Sequence, residues 1–68
     1  MEGKDRLIRR AEVLRRIGIA NATLYRWIKA GRFPAPIEVG PLAVRWWESE
    51  VDAWLASRPR SINPDAKD

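Results

Sequence analysis

Two helix stops, Gly18 and Gly31, bracket the stretch "GIANATLYRWIKAGRFP" and leave room between them for one helix of about two and a half turns. A helix this short is unstable alone, so one side of it must be buried. At about 100° per residue, Leu24, Trp27 and Ile28 share one face, while Ala22, Tyr25, Arg26 and Lys29 occupy the opposite arc. Upstream, Val13, Leu14 and Ile17 fall on one face of a two-turn helix, with Glu12, Arg15 and Arg16 outside it. Gly18 sits where a left-handed C′ residue would stop that first helix.

Ile19 and Leu24 are spaced as a hydrophobic staple, which makes Ala20 the N-cap of the second helix. Asn21 is the rival, because its side chain caps far better, and the start stays open by one residue. After Gly31, Pro34 and Pro36 forbid helix and impose an extended connection. Residues 37–46, "IEVGPLAVRW", alternate about a Gly40-Pro41 break and predict a small β-hairpin that must lean on the helices. A third helix places Trp47, Val51, Trp54 and Leu55 on one stripe, with Glu48, Glu50 and Asp52 in its first turns and Pro59 closing it. Trp27, Trp46 and Trp54 are read as core. Trp47, next to Trp46 at the strand end, is expected to be partly exposed.

The 68 residues hold one domain. Residues 1–6 are expected to be a frayed polar end, with Leu7 and Ile8 as an apolar lead-in that docks on the core. Residues 7–57 form the domain, and 58–68 form a tail without stable structure, given its Pro, Ser, Asn and charge with only Ile62 apolar. The chain has neither Cys nor His, which excludes disulfides, thiolate or imidazole metal sites and His-based acid/base catalysis. No cofactor is indicated. Glu48, Glu50 and Asp52, with no His, Cys or Gly-rich phosphate loop beside them, read as a solvated acidic face rather than as an enzyme's carboxylates. No apolar run or signal core points to a membrane or to secretion, so a cytoplasmic location is expected. From Arg6 to Arg45, nine Lys and Arg face only Glu12 and Glu38, a local balance of +7. Such a basic body is the electrostatic footprint of a nucleic-acid binder.

The order helix, three-residue turn, helix, hairpin, helix is that of a minimal winged helix-turn-helix, mainly α with a small β-hairpin. Residues Leu7 to Arg58, through "EVLRRIGI", "TLYRWIKAGRFPAPIEVG" and "VRWWESEVDAWLASR", resemble the AlpA-type phage regulators and small excisionases, which share the DNA-binding fold of the MerR-like group. The resemblance implies a bacterial or prophage-encoded, sequence-specific binder of double-stranded DNA, acting as a transcriptional regulator or an excisionase. Its recognition helix, about 20–30, would enter the major groove, and hairpin 37–46 would reach backbone or minor groove as a wing. By position, Asn21, Ala22, Thr23, Tyr25, Arg26 and Lys29 would face DNA. Two places depart from the family's pattern: Ala20 stands where Ser is usual, and Pro41-Leu42-Ala43 forms the tip where a basic or hydroxyl residue is usual.

A basic pair on a helix is ordinarily a solvated face. Here it flanks Ala22 and Tyr25 on the helix that follows a Gly turn, which favours DNA. Arg26 is assigned to a base, Lys29 and the Tyr25 hydroxyl to phosphates, and Ala22 to clearance against the groove floor or a thymine methyl. Arg32 and Arg45 are assigned to the backbone, while Arg9, Arg10, Arg15 and Arg16 divide between phosphate contacts and ordinary solubility. One module buries on the order of 600–1,000 Å² on DNA and binds weakly alone. Cooperative self-association, an integrase or RNA polymerase would supply the remainder. The competing readings are an interaction adaptor using the acidic C-terminal helix and a single-strand binder stacking bases on Trp47 and Tyr25.

Overall fold

The computed structural model describes residues 5–61; the expected ends at 1–4 and 62–68, Ile62 included, lie outside the described residues. The elements run β1 (Leu7–Ile8), α1 (Arg10–Ile17), α2 (Asn21–Lys29), β2 (Ile37–Gly40), β3 (Ala43–Trp47) and α3 (Glu48–Ala56). Three short helices therefore pack with a small antiparallel sheet of order β1-β3-β2.

Both glycine stops behave as their chemistry requires. Gly18 takes φ 77° and donates its N–H to Leu14 O at 2.7 Å. Gly31 takes φ 74° and donates to Ile28 O while Arg32 N–H reaches Trp27 O, the paired bonds of a Schellman end. A Cβ at either glycine would meet nothing within 4 Å, so the left-handed backbone, not space, calls for glycine there. The open start of α2 resolves to Ala20 as N-cap, with no side-chain cap bond. The Ile19–Leu24 pairing outweighs the better capping side chain of Asn21, because Leu24 is fully buried and Ile19 packs against the same core.

The sheet is larger than the expected hairpin. Leu7 and Ile8 are a third strand, with Leu7 opposite Trp47 and Ile8 opposite Trp46. Alternation along β3 sends Trp46 into the core and leaves Trp47 on the outer face at 36% exposure. Trp47 thus ends β3 and caps α3 instead of joining its apolar stripe, and Leu55, the stripe's other margin, is 45% exposed. Asp5 and Arg6, expected to fray, hold the start of α3. Arg6 O accepts the Glu48 N–H at 2.8 Å, and the Asp5 carboxylate accepts both the N–H and the hydroxyl of Ser49. Two of the orphan donors at that helix start are satisfied from another segment of the chain.

The buried core consists of Ile8, Val13, Leu24, Phe33, Trp46 and Val51, with Trp27 and Trp54 half-buried against it. Phe33 was visible in the sequence only as part of the helix exit, yet it is 4% exposed and meets Trp54 edge-on at 4.8 Å. The indoles need acceptors, and the same exit segment provides them. Trp46 Nε1 donates to Pro34 O at 2.9 Å and Trp54 Nε1 to Arg32 O at 2.6 Å. Phe33→Ala should cost about 3–5 kcal/mol and Phe33→Leu less than about 1.5 kcal/mol. Thermal unfolding followed by circular dichroism checks the pair; equal midpoints for wild type and Phe33→Ala would contradict the packing.

Candidate nucleic-acid interface

The exposed arc of α2 follows from what the other side must bury. Leu24 is fully buried and Trp27 and Ile28 are half-buried, so helical geometry turns Ala22, Tyr25, Arg26 and Lys29 to solvent. Asn21 and Thr23 flank this arc on opposite sides. Asn21 borders an open groove of about 660 Å³ whose other walls are the start of α1 (Arg9, Arg10) and the hairpin (Leu42, Ala43, Val44, Arg45). Thr23 instead lines a smaller hollow beside the Gly18 turn, together with Arg26. Arg10 Nη1 reaches the Tyr25 hydroxyl at 3.4 Å, a loose contact that ties the groove to the arc and leaves the phenol proton free to donate.

Arg45 is half-buried, and its Nη1 donates to Val44 O at 2.7 Å, which holds the guanidinium at the hairpin base. Arg32 lies elsewhere. It lines a cleft of about 130 Å³ with Trp27, Trp54 and Arg58, beyond the far end of α2, and Arg58 stacks over the Trp54 ring at 4.9 Å. The structure therefore presents Ala22, Tyr25, Arg26 and Lys29 along one exposed side of α2, brings Asn21 to the groove that Arg45 also lines, places Thr23 at the margin beside Arg26, and puts Arg32 in a separate cleft.

The four arginines of the first helix region divide cleanly. Arg15 makes a two-pronged contact with Glu12, Nη2 to Oε2 at 2.6 Å. Arg16 bonds Glu12 at 2.8 Å, Glu48 at 2.6 Å and Asp52 at 3.3 Å. Glu48 also takes the Arg6 guanidinium at 3.0 Å. The expectation of a solvated acidic face on α3 is corrected at Glu48, which pairs with Arg6 and Arg16; Asp52 also contacts Arg16 but stays mostly exposed, and Glu50 is exposed as expected. Arg9, Arg26, Lys29 and Arg32, by contrast, have no side-chain partner among the described residues. Arg15 and Arg16 follow Glu12 by three and four residues within α1, a spacing that pairs side chains on a helix, whereas Arg9, also three residues from Glu12, is the extended N-cap outside the helix and Arg10 is only two residues away. The reach to Glu48 and Asp52 has no local signal.

These pairings set the local ionisation. Arg16 first and then Arg15 hold the Glu12 carboxyl below its ordinary range, and Arg6 and then Arg16 do so for Glu48. The Ser49 hydroxyl, then its N–H, lowers Asp5. Arg16 and Arg6 are raised in turn, mainly through their carboxylate hydrogen bonds. Among the described residues, no group of acidic side chains is placed to hold a metal, and no helix is long and apolar enough to cross a membrane.

Three short helices, a small antiparallel sheet with a projecting wing-like hairpin, and unpaired cations gathered beside one exposed helix define a small α/β domain built around a basic face. Residues 6–59 match the family described as "Prophage CP4-57 regulatory protein (AlpA)", and the chain belongs to that family. It is 38% identical over 55 residues to the uncharacterized protein ORF88 of Enterobacteria phage P4, covering 81% of this chain and 62% of that protein's length. It is 36% identical over 63 residues to the DNA-binding transcriptional activator AlpA of Escherichia coli (strain K12), covering 84% of this chain and 90% of that protein. No solved structure gives a significant match.

Because Glu12, Glu48 and Asp5 have lowered folded pKa values, their contribution to stability is fully present above the ordinary carboxylate pKa of about 4 and is lost as pH falls through the folded values. Melting temperature should therefore hold level from neutral pH to about pH 5 and decline below it. An Arg16→Gln variant should melt lower at pH 7 and show a shallower acid decline. Parallel declines in the two proteins would contradict the role of Arg16.

Proposed function

We propose that this chain is a sequence-specific double-stranded DNA-binding protein of the winged helix-turn-helix type that regulates prophage transcription. One observation carries the reading: acids neutralise Arg6, Arg15 and Arg16, whereas Arg9, Arg10, Arg26, Lys29 and Arg45 lie around one helix arc and groove and pair with no carboxylate among the described residues. Neutralising phosphates is the main source of affinity for DNA, and cations not already neutralised by a carboxylate are the ones available for it. On this reading α2 lies in the major groove with Ala22 at its floor. Arg26 reads a guanine edge, Lys29 and Tyr25 hold phosphates on the arc, Asn21 and Thr23 contact the two flanking strands, and Arg9, Arg10 and Arg45 follow the backbone along the hairpin groove. Arg32 serves at most a distal phosphate.

A regulator and an excisionase need the same reading surface. The E. coli relative, described as a transcriptional activator, favours regulation, with RNA polymerase as protein partner and neighbouring copies adding occupancy. An integrase would be the partner in the excision alternative. The adaptor reading is less well supported, since Glu48 is held by Arg6 and Arg16 and Asp52 also contacts Arg16, which leaves Glu50 as the acid of α3 without a partner among the described residues. The single-strand reading has less support, because Trp47 lies on β3 opposite Leu7 while Tyr25 lies on α2 beside Arg10, so the two rings belong to different elements.

Selection of bound sequences from a random duplex pool tests specificity directly. With four or five phosphates neutralised, affinity for the selected duplex should fall with salt at a log-log slope of roughly −4. Arg26→Ala should weaken the selected site about 5- to 150-fold and relax one base position, and Lys29→Ala should reduce the slope by about 1. Arg15→Ala should leave both unchanged. Duplex binding indifferent to salt and to Arg26→Ala, in a folded protein, would sink the proposal.

A further inference from the structure

The hairpin tip holds a residue that folding does not account for. Leu42 has φ 58°, the only positive value at a non-glycine among the described residues, and it is fully exposed at 106%. Glycine, Asn or Asp takes this conformation at lower cost. An apolar side chain wholly in water contributes nothing to the core in exchange. Pro41 precedes it and stiffens the turn, so the leucine projects from a rigid tip instead of a loose loop. The groove that Leu42 borders is lined by charge of one sign, with Leu42 and Arg45 on one wall and Arg9 and Arg10 opposite, while Glu38, paired with Val44, is not among its lining residues. A leucine that projects beside three groove arginines and the start of α2 fits a polyanion with an apolar interior. A duplex has that construction, with phosphates outside and stacked bases within.

We propose that Leu42 is an apolar wedge that enters the minor groove next to the major-groove site of α2 and partly unstacks one base step, bending the duplex. This rests on the DNA-binding reading above and adds to it a class of target. Opening a base step is cheapest at pyrimidine–purine steps such as TA and CA/TG, so the hairpin should select such a step without a hydrogen bond to it. Specificity would then have two sources: hydrogen bonding from α2 and deformability under the hairpin.

The test uses the full chain on the duplex obtained from random selection, with 2-aminopurine as the purine of the step facing the hairpin and fluorophores at the duplex ends. Wild type should raise 2-aminopurine emission, bend the duplex by about 20° or more, and prefer the pyrimidine–purine step about fivefold or more over a purine–purine replacement. Leu42→Gly and Leu42→Asn should melt no lower than wild type, keep the salt slope and the dependence on Arg26, and lose the emission change, the bend and the step preference together. Leu42→Met should retain all three. A bend and emission change that persist in Leu42→Gly, or wild-type binding without either, would overturn the wedge while leaving the DNA-binding reading intact. Loss of cooperativity with an unchanged bend would also overturn it and assign the tip to a neighbouring copy. Failure of wild type to bind any duplex would remove both readings.

Discussion

The guanidinium of Arg16 joins three carboxylates from two helices, and the rest of the molecule is arranged around that junction. Glu12 lies on its own helix, one turn away, while Glu48 and Asp52 come from α3. Arg6 completes the cluster from the chain start through Glu48. Exposed ion pairs contribute little individually, and a shared cluster matters more for what it orients than for its strength. Here it ties α3 to α1, and with Arg15 on Glu12 it pairs three arginines with three acids, so that their charges offset one another locally. The net basic surface becomes local as a result. Cations without a carboxylate partner among the described residues are left around α2 and the hairpin groove, the region proposed to meet DNA.

A second set of constraints holds that region in place. The exit from α2 folds back under two indole N–H groups, those of Trp46 and Trp54, while Phe33 fills the space between. β3 is the central strand, and it carries Trp46 inward while Arg45 remains beside the groove. In a core of six buried side chains among the described residues, each large residue both packs and positions. The hairpin departs from regular pairing at Val39, where a bulge lies between Glu38 and Gly40. Bulges increase local twist, and this one falls just before the turn that presents Leu42.

Much of this was legible where the signal is local. The glycine stops, the Ile19–Leu24 staple, the buried and exposed arcs of α2 and the Gly40-Pro41 turn all depend on residues within one helical turn or one hairpin. The AlpA resemblance could be read from the same segments, because it rests on their order. Phe33 was not legible as core, because an isolated aromatic between Arg and Pro belongs to no periodic pattern. Trp47 was misassigned to the α3 stripe because its spacing to Val51 fits a helix equally well; only the pairing with Leu7 shows that the strand continues through it. Asp5 and Arg6 read as a frayed polar end, since their partners, Ser49 and Glu48, lie more than forty positions away.

The segments, their faces and the excess of positive charge follow from residue order alone, because helix period, glycine conformation and residue type act over a few positions. Packing in three dimensions selects which of those charges are available. Arg9, Arg10, Arg15 and Arg16 are alike as residues and close in the chain, yet two face the groove and two are held by acids. Part of that difference is the local spacing to Glu12. The remainder is the approach of α3, which sets its carboxylates against α1, and no one-dimensional pattern records that approach.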